Sequence, residues 1–295
     1  MMKKELAYMV GKAVGAECEE KIILENNGNA KHALVIREPG AEVCPTIYID
    51  GILESIRNGE TGMGEAVTAV TDIYREARSP EWLQGIRKRL MEKEYVLENV
   101  IYQVVGLEKN LCRLSKMPHK RLLDLAAVYR VVLENCGMHE HAGFVVENEF
   151  RERCGITEEE LDAAARRNTD KRGFCIRSMG LFLRHVTGVP VIPPGCGDGI
   201  WVITTKDGYY GAAVLLYGKS CLGKLADRIG SDLYVLPASI HEVIAVPVGK
   251  AHPSELIDMV YTINAEEVEP EEVLSNSVYR YNRRDGSLTS AGKRY

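Results

Sequence analysis

The sequence predicts an α+β protein, with mostly antiparallel sheets and packed helices. Three observations carry that prediction. Apolar residues recur at helical spacing in some windows and cluster as short β-branched and aromatic runs in others. Several of those runs are separated only by tight turn residues, the mark of hairpins. The last third of the chain reads in the order ββαββαβ, which matches neither an all-helical bundle nor a parallel α/β sheet.

The elements follow in order. Residues 6–14 form an amphipathic helix, and β-type runs follow at 21–25, 32–37 and 44–49. Asn26, Asn27 and Gly28 turn the first run into the second. In 63–77, Met63, Ala66, Val67, Val70, Ile73, Tyr74 and Ala77 make a helical stripe facing a core. After the Ser79-Pro80 break a helix is expected over 81–93, then strands at 96–105, 122–133 and 144–147. The second of these is nearly continuous in apolar residues, and Val128, Tyr129, Val131 and Val132 favour a strand there. Thr157 with Glu160 three residues on is a capping box, with Ile156 stapled onto Leu161, and it opens a helix reaching about residue 167.

The stretch 186–199 is dense in Gly and Pro and is the expected linker. It separates an N-terminal α+β region, 1–185 (with subregions 1–78 and 79–185), from a C-terminal α+β domain, 200–295. Beyond it, strands at 200–205 and 210–217 form a hairpin across Asp207-Gly208, with Gly218 turning the chain into a helix at 220–229 that Ser220 caps. That helix stops at Gly230, a glycine C-cap. A second hairpin pairs 233–236 with 243–248, Pro253 starts a helix to about 264, and a last strand spans 278–282 before a fraying end.

Composition bounds the function. The 295 residues carry 42 acidic and 37 basic side chains, a net charge of −5, and 45% are hydrophobic, so a disordered chain is excluded. The mildly acidic balance draws the molecule to neither nucleic acid nor an anionic membrane. No signal peptide and no apolar run of membrane-spanning length is legible, which implies a cytosolic protein. Eight cysteines, none closer than 18 residues to the next, leave no CxxC clip and are read as reduced packing residues.

Several patterns invite chemistry. Gly218-Lys219-Ser220 resembles the end of a phosphate-binding loop, but the first glycine position holds Ala213, so nucleotide binding is not expected. Cys136, His139 and His141 are a weak metal candidate, since thiolate and imidazole suit zinc; the alternative is a surface turn. Ser239, His241 and Glu242 lie together between two apolar runs, where His241 could serve as a general base. The absence of a Gly-x-Ser-x-Gly elbow favours a structural turn instead. Basic stretches at 113–130 (five basic, one acidic) and 166–184 (six basic, one acidic) contrast with seven acids and no base over 255–272.

Four phrases carry a resemblance. They are Pro45-Thr46-Ile47-Tyr48-Ile49; Pro118-His119 with Leu123-Asp124-Leu125-Ala126; Gly155 through Leu161 with Asn168-Thr169; and Leu236-Pro237-Ala238-Ser239-Ile240-His241-Glu242-Val243. Gly211-Ala212-Ala213, the phrase from Val273 to Tyr279 and Asp285-Gly286 accompany them. Together they resemble the bacterial family known as domain of unknown function 5688 over nearly the whole chain. The C-terminal half is also similar to the domain of unknown function 1444 family. The resemblance implies kinship without an activity. It draws interest to Pro45, His119, Asp124, Ser239, His241 and Glu242, and away from the Cys136 cluster and Cys196.

The expectation is therefore an uncharacterised cytosolic bacterial protein that binds or regulates without its own chemistry, needing no cofactor, its partner a protein or small molecule. The alternative is a hydrolase-like enzyme using His241 with Ser239 or Glu242, completed by His119 and Asp124. A nucleic-acid-associated role ranks third, and no membrane role is expected.

Overall fold

The computed structural model describes residues 2–37, 44, 46–78, 89–133, 143–181 and 199–294. The chain divides into two compact units, Met1–Tyr95 and Val96–Tyr295.

In the first unit, helix α1 (Met2–Val14) buries Leu6, Ala7 and Val10 against an antiparallel sheet in the order β1-β2-β3. Its strands are β1 (Glu17–Leu24), β2 (Ala30–Arg37) and β3 (Thr46–Tyr48). Asn27 and Gly28 take the left-handed conformation that the β1–β2 reversal requires (φ 61° and 74°), which asparagine and glycine accept at low cost. Helices α2 (Asp50–Arg57) and α3 (Met63–Arg78) close the core, where Leu34, Ile36, Ile49, Leu53, Ala66, Val70 and Tyr74 meet. Ile73, expected inside with that stripe, is 43% exposed: the buried apolar residues Ala66, Val70 and Tyr74 follow a four-residue step, and Ile73 lies a residue off it.

Helix α4 (Lys93–Asn99) spans the division, so the strand expected from residue 96 starts only at β4 (Val100–Gly106). The run 122–133 is likewise two elements. β5 (His119–Leu122) reverses at Leu123-Asp124 into β6 (Leu125–Val132), with Leu123 left-handed at φ 57°. β6 pairs with β4 along one edge, and with β5 and then β7 (Gly143–Val145) along the other. After the short helices α5 (Leu111–Leu114) and α6 (Asn148–Arg153), α7 (Glu158–Arg172) begins with the capping box read from the sequence. It continues past residue 167 to lie on β4 and β6.

A six-stranded antiparallel sheet follows in the order β13-β12-β10-β11-β9-β8. Its strands are β8 (Phe174–Ser178), β9 (Trp201–Thr205), β10 (Leu233–Leu236), β11 (Glu242–Pro247), β12 (Ser277–Tyr281) and β13 (Leu288–Lys293). Three expectations change here. Residues 211–217 are a buried 3-10 helix and not a strand: Gly-Ala-Ala opens the segment, and only Val214 is β-branched. The C-terminal residues do not fray but form β13, hydrogen-bonded along β12. β8, which precedes the expected linker at 186–199, pairs directly with β9, which follows it, so the two sides of that stretch share one sheet. Most of the stretch itself lies outside the described residues.

The 3-10 segment and α8 (Leu222–Ile229) fill the space between the two sheets of this unit. Ile101, Val104 and Leu125 come from one side and Ile203, Val235, Val243 and Tyr279 from the other, with Val214, Leu215 and Leu222 between them. α9 (Pro253–Glu266) covers the opposite face of the six-stranded sheet through Leu256 and Val260. Ser220 does not cap α8; its hydroxyl donates to the Tyr217 carbonyl at 2.9 Å, and Cys221 holds the N-cap position. The six described cysteines are free thiols, and burial pushes Cys18 and Cys221 each up to about 11, as suits packing residues. No helix among the described residues is long and apolar enough to cross a membrane.

Candidate functional site

The turn from β10 to β11 holds Ser239, His241 and Glu242, and it is built on backbone groups. Ser239 is 2% exposed; its Oγ accepts the N–H groups of His241 (3.0 Å) and Glu242 (3.3 Å), closing the turn locally. The His241 carbonyl accepts from Gly211 N–H at 2.9 Å and from Thr204 Oγ at 2.8 Å. This fastens the turn to the 3-10 segment and to β9. Gly211 is obligatory at that crossing, because a Cβ there would lie 2.3 Å from the His241 carbonyl oxygen and 2.5 Å from Thr204 Cα.

The His241 ring has both nitrogens engaged. Nδ1 accepts the Tyr210 backbone N–H at 3.2 Å, an acceptor role that assigns the proton of the neutral ring to Nε2. Nε2 faces Glu272 Oε1 at 3.3 Å. The carboxylate partner of His241 is therefore Glu272, from the acidic run 255–272, and not its neighbour Glu242, which enters the ladder opposite Thr204. Glu272 is held by its own backbone, whose carbonyl accepts from Ile240 N–H at 2.9 Å. Tyr209 meets the imidazole edge-on with ring centroids 5.2 Å apart, and Tyr210 lies at 5.5 Å. Tyr210 itself is left-handed, with φ 59°. That conformation is uncommon for a residue with a bulky side chain, and here it aims the N–H at His241.

Arg130, from β6, stacks its guanidinium over the Tyr210 ring at 5.1 Å. Its Nη2 donates to the Gly143 carbonyl at 3.0 Å and its Nη1 lies 3.5 Å from Gln103 Oε1. Burial raises the Tyr210 hydroxyl above the usual tyrosine range; Arg130 and Arg172 oppose that shift, and Tyr209 and Glu272 add to it.

The other nominated residues lie in separate hydrogen-bonded groups. His119 sits on β5 opposite Val128, with Nδ1 bonded to the Met117 carbonyl at 2.9 Å. Asp124, in the β5–β6 turn, accepts from Ser275 (2.6 Å), Ser277 (2.8 Å) and Tyr279 (2.5 Å), with Lys293 at 3.7 Å. Burial alone would raise the Asp124 carboxyl, but the three hydroxyl donors outweigh it and hold it below the ordinary aspartate range. Among the described residues, no hydrogen bond joins His119, Asp124 and His241. Pro45, Cys136, His139, His141 and Cys196 lie outside the described residues. No group of three or more His, Cys, Asp or Glu is placed to hold a metal among those described.

A third polar group was not signalled by any motif. Asp162 on α7 accepts from Lys120 Nζ (2.6 Å), Tyr102 (2.6 Å) and Tyr129 (3.0 Å). Burial opposes its ionisation, yet these donors lower its carboxyl and so fix α7 onto the sheet. Its members are spread over residues 102–162, a separation at which no local spacing rule applies.

The model of the Family of unknown function (DUF5688) matches residues 1–283, nearly the whole length. The chain belongs to this family. For this DUF5688 member no curated protein and no solved structure matches. The His241 corner and the Asp162 node fall within the matched span, as does the Asp124 node apart from Lys293.

Proposed function

We propose that this DUF5688 protein is a non-catalytic binding protein whose site is the corner formed by His241, Glu272, Tyr209, Tyr210 and Arg130. One observation carries the reading: the groups that a hydrolase would need free are consumed as structure. A general base needs an available lone pair, and the Nδ1 lone pair of His241 already takes the Tyr210 N–H. A nucleophilic serine needs a base, and Ser239 Oγ instead accepts two backbone N–H groups of its own turn. The residues nominated to complete a constellation are bonded elsewhere, His119 to Met117 and Asp124 to the hydroxyls of Ser275, Ser277 and Tyr279.

The same accounting disfavours a nucleic-acid role. Several cations of the two basic stretches are spoken for: Lys120 by Asp162, Arg172 by Asp207, Arg166 by the Tyr217 ring and Arg130 by the Tyr210 ring. A phosphate-tracking surface needs such side chains free.

The test is a panel of chromogenic nitrophenyl esters, acyl and phosphate, incubated with the whole chain and with His241→Ala. Both proteins are expected to release nitrophenol at the buffer rate. Turnover that His241→Ala abolishes would overturn the reading.

A further inference from the structure

At the end of β10 opposite the His241 turn, a cleft of about 680 Å³ lies where α8 stops, β10 starts and β12 turns into β13. Every side chain that lines it is polar or charged. A space of that size suits a small molecule, and with no aromatic or aliphatic wall it gives a nucleobase or an acyl chain nothing to pack on.

The donors of the cleft are held in place by its own carboxylates. Asp232 Oδ2 accepts from Arg280 Nε at 3.2 Å and Nη2 at 2.8 Å, and its Oδ1 accepts the Arg283 backbone N–H at 3.0 Å. Asp227 Oδ1 accepts from Arg283 Nε at 2.8 Å, and Asn282 Oδ1 accepts the Arg284 backbone N–H at 2.9 Å, which orders the turn. These bonds engage only part of the guanidinium edges. Among the described residues, Arg280 Nη1, both Nη atoms of Arg283 and the whole Arg284 guanidinium make no hydrogen bond or ion pair. All three are within reach of solvent: the Arg280 side chain is 51% exposed, that of Arg283 41%, and Arg284 is exposed as well. Three cations against two carboxylates leave one positive charge in the cleft.

The acceptors define the other half of a ligand. Asp227 Oδ2 takes no hydrogen bond among the described residues, and α8 ends here with the last carbonyls of a helix, which lack intrahelical partners. Both favour a donor and repel an anion. The complementary molecule therefore carries an oxyanion at the arginine side and hydroxyls at the α8 side. A phosphoryl group, with three terminal oxygens against the two of a carboxylate, suits donors that come from three separate guanidinium groups. We infer that this cleft binds a sugar phosphate, its phosphoryl oxygens accepting from Arg283 and Arg284 and its hydroxyls donating to Asp227 and the end of α8. The site is separate from the His241 corner and stands whether or not that corner binds anything.

The experiment titrates the whole chain by calorimetry at low ionic strength with glucose 6-phosphate, ribose 5-phosphate, glucose and inorganic phosphate. At least one of the two sugar phosphates is expected to bind, with glucose and inorganic phosphate each at least tenfold weaker. Arg284→Gln should melt at the wild-type temperature, because that side chain holds nothing in place, and should weaken the sugar phosphate about tenfold or more, the value of one hydrogen bond to a charged acceptor. Arg283→Gln is the second variant, with the same expected loss, and decides the matter if Arg284→Gln does not fold. Absence of binding by both sugar phosphates, inorganic phosphate binding as tightly as they do, or an unchanged affinity in the folded variant would each overturn the inference.

Discussion

Asp124 shows how much one side chain can carry. Its carboxylate ends the donors of Ser275, Ser277 and Tyr279 and approaches Lys293, tying the β5–β6 turn to β12 and β13. Asp124→Ala would leave three hydroxyls around an empty acceptor site, and urea unfolding should show a loss of about 2–4 kcal/mol. The sign with pH follows from the lowered carboxyl. A carboxylate whose folded value lies below its unfolded one contributes stability above the ordinary aspartate range and loses it as pH falls through the folded value. Stability should therefore fall as pH drops below that range, and Asp124→Ala should flatten the slope. An equally steep acid limb in the variant would count against this role. Asp124 was legible as a residue of interest, but its partners were not, since they come from about 150 residues further along the chain. His241 was legible for the same reason, while Glu272 was hidden in an acidic run that reads as a solvated face.

Gly211 belongs to the scale of the element. Its Cβ position is occupied by the His241 carbonyl and Thr204, so Gly211→Ala must displace backbone on two sides. Overpacking of that kind costs about 1–3 kcal/mol. The expected outcome is a lower melting temperature, because the 3-10 segment that carries Gly211 must shift; a melting temperature equal to wild type would contradict the crossing described. Elements with a local cause were readable in advance. The capping box of α7, the Asn-Gly reversal between β1 and β2, the proline start of α9 and the glycine stop of α8 each depend on residues within one turn. Elements with a tertiary cause were not. The β5–β6 reversal uses a left-handed leucine, which no turn rule selects, and the 3-10 run 211–217 is uniformly apolar, so no period distinguishes it from a strand.

For the molecule as a whole, the division after Tyr95 implies that the larger unit has a core of its own, in which both sheets, the 3-10 segment and α8 interlock. A fragment beginning at Lys93, which keeps α4 entire, should unfold in one cooperative calorimetric transition and give a dispersed amide NMR spectrum. A fragment with neither property would mean that the unit depends on the first 92 residues. The density of Gly and Pro over 186–199 marks irregular backbone, whereas strand pairing decides which core a segment joins, and β8 pairs with β9 across that stretch. The pairing of Ser178 with Trp201 has a second effect. The excursion between them starts and returns at the same end of the β8–β9 ladder, so its ends are held together independently of its content. Closing a flexible loop costs only the logarithm of its length, about 0.6 kcal/mol for each doubling. A change of chain length between Ser178 and Trp201 therefore carries little penalty to the sheet that joins them.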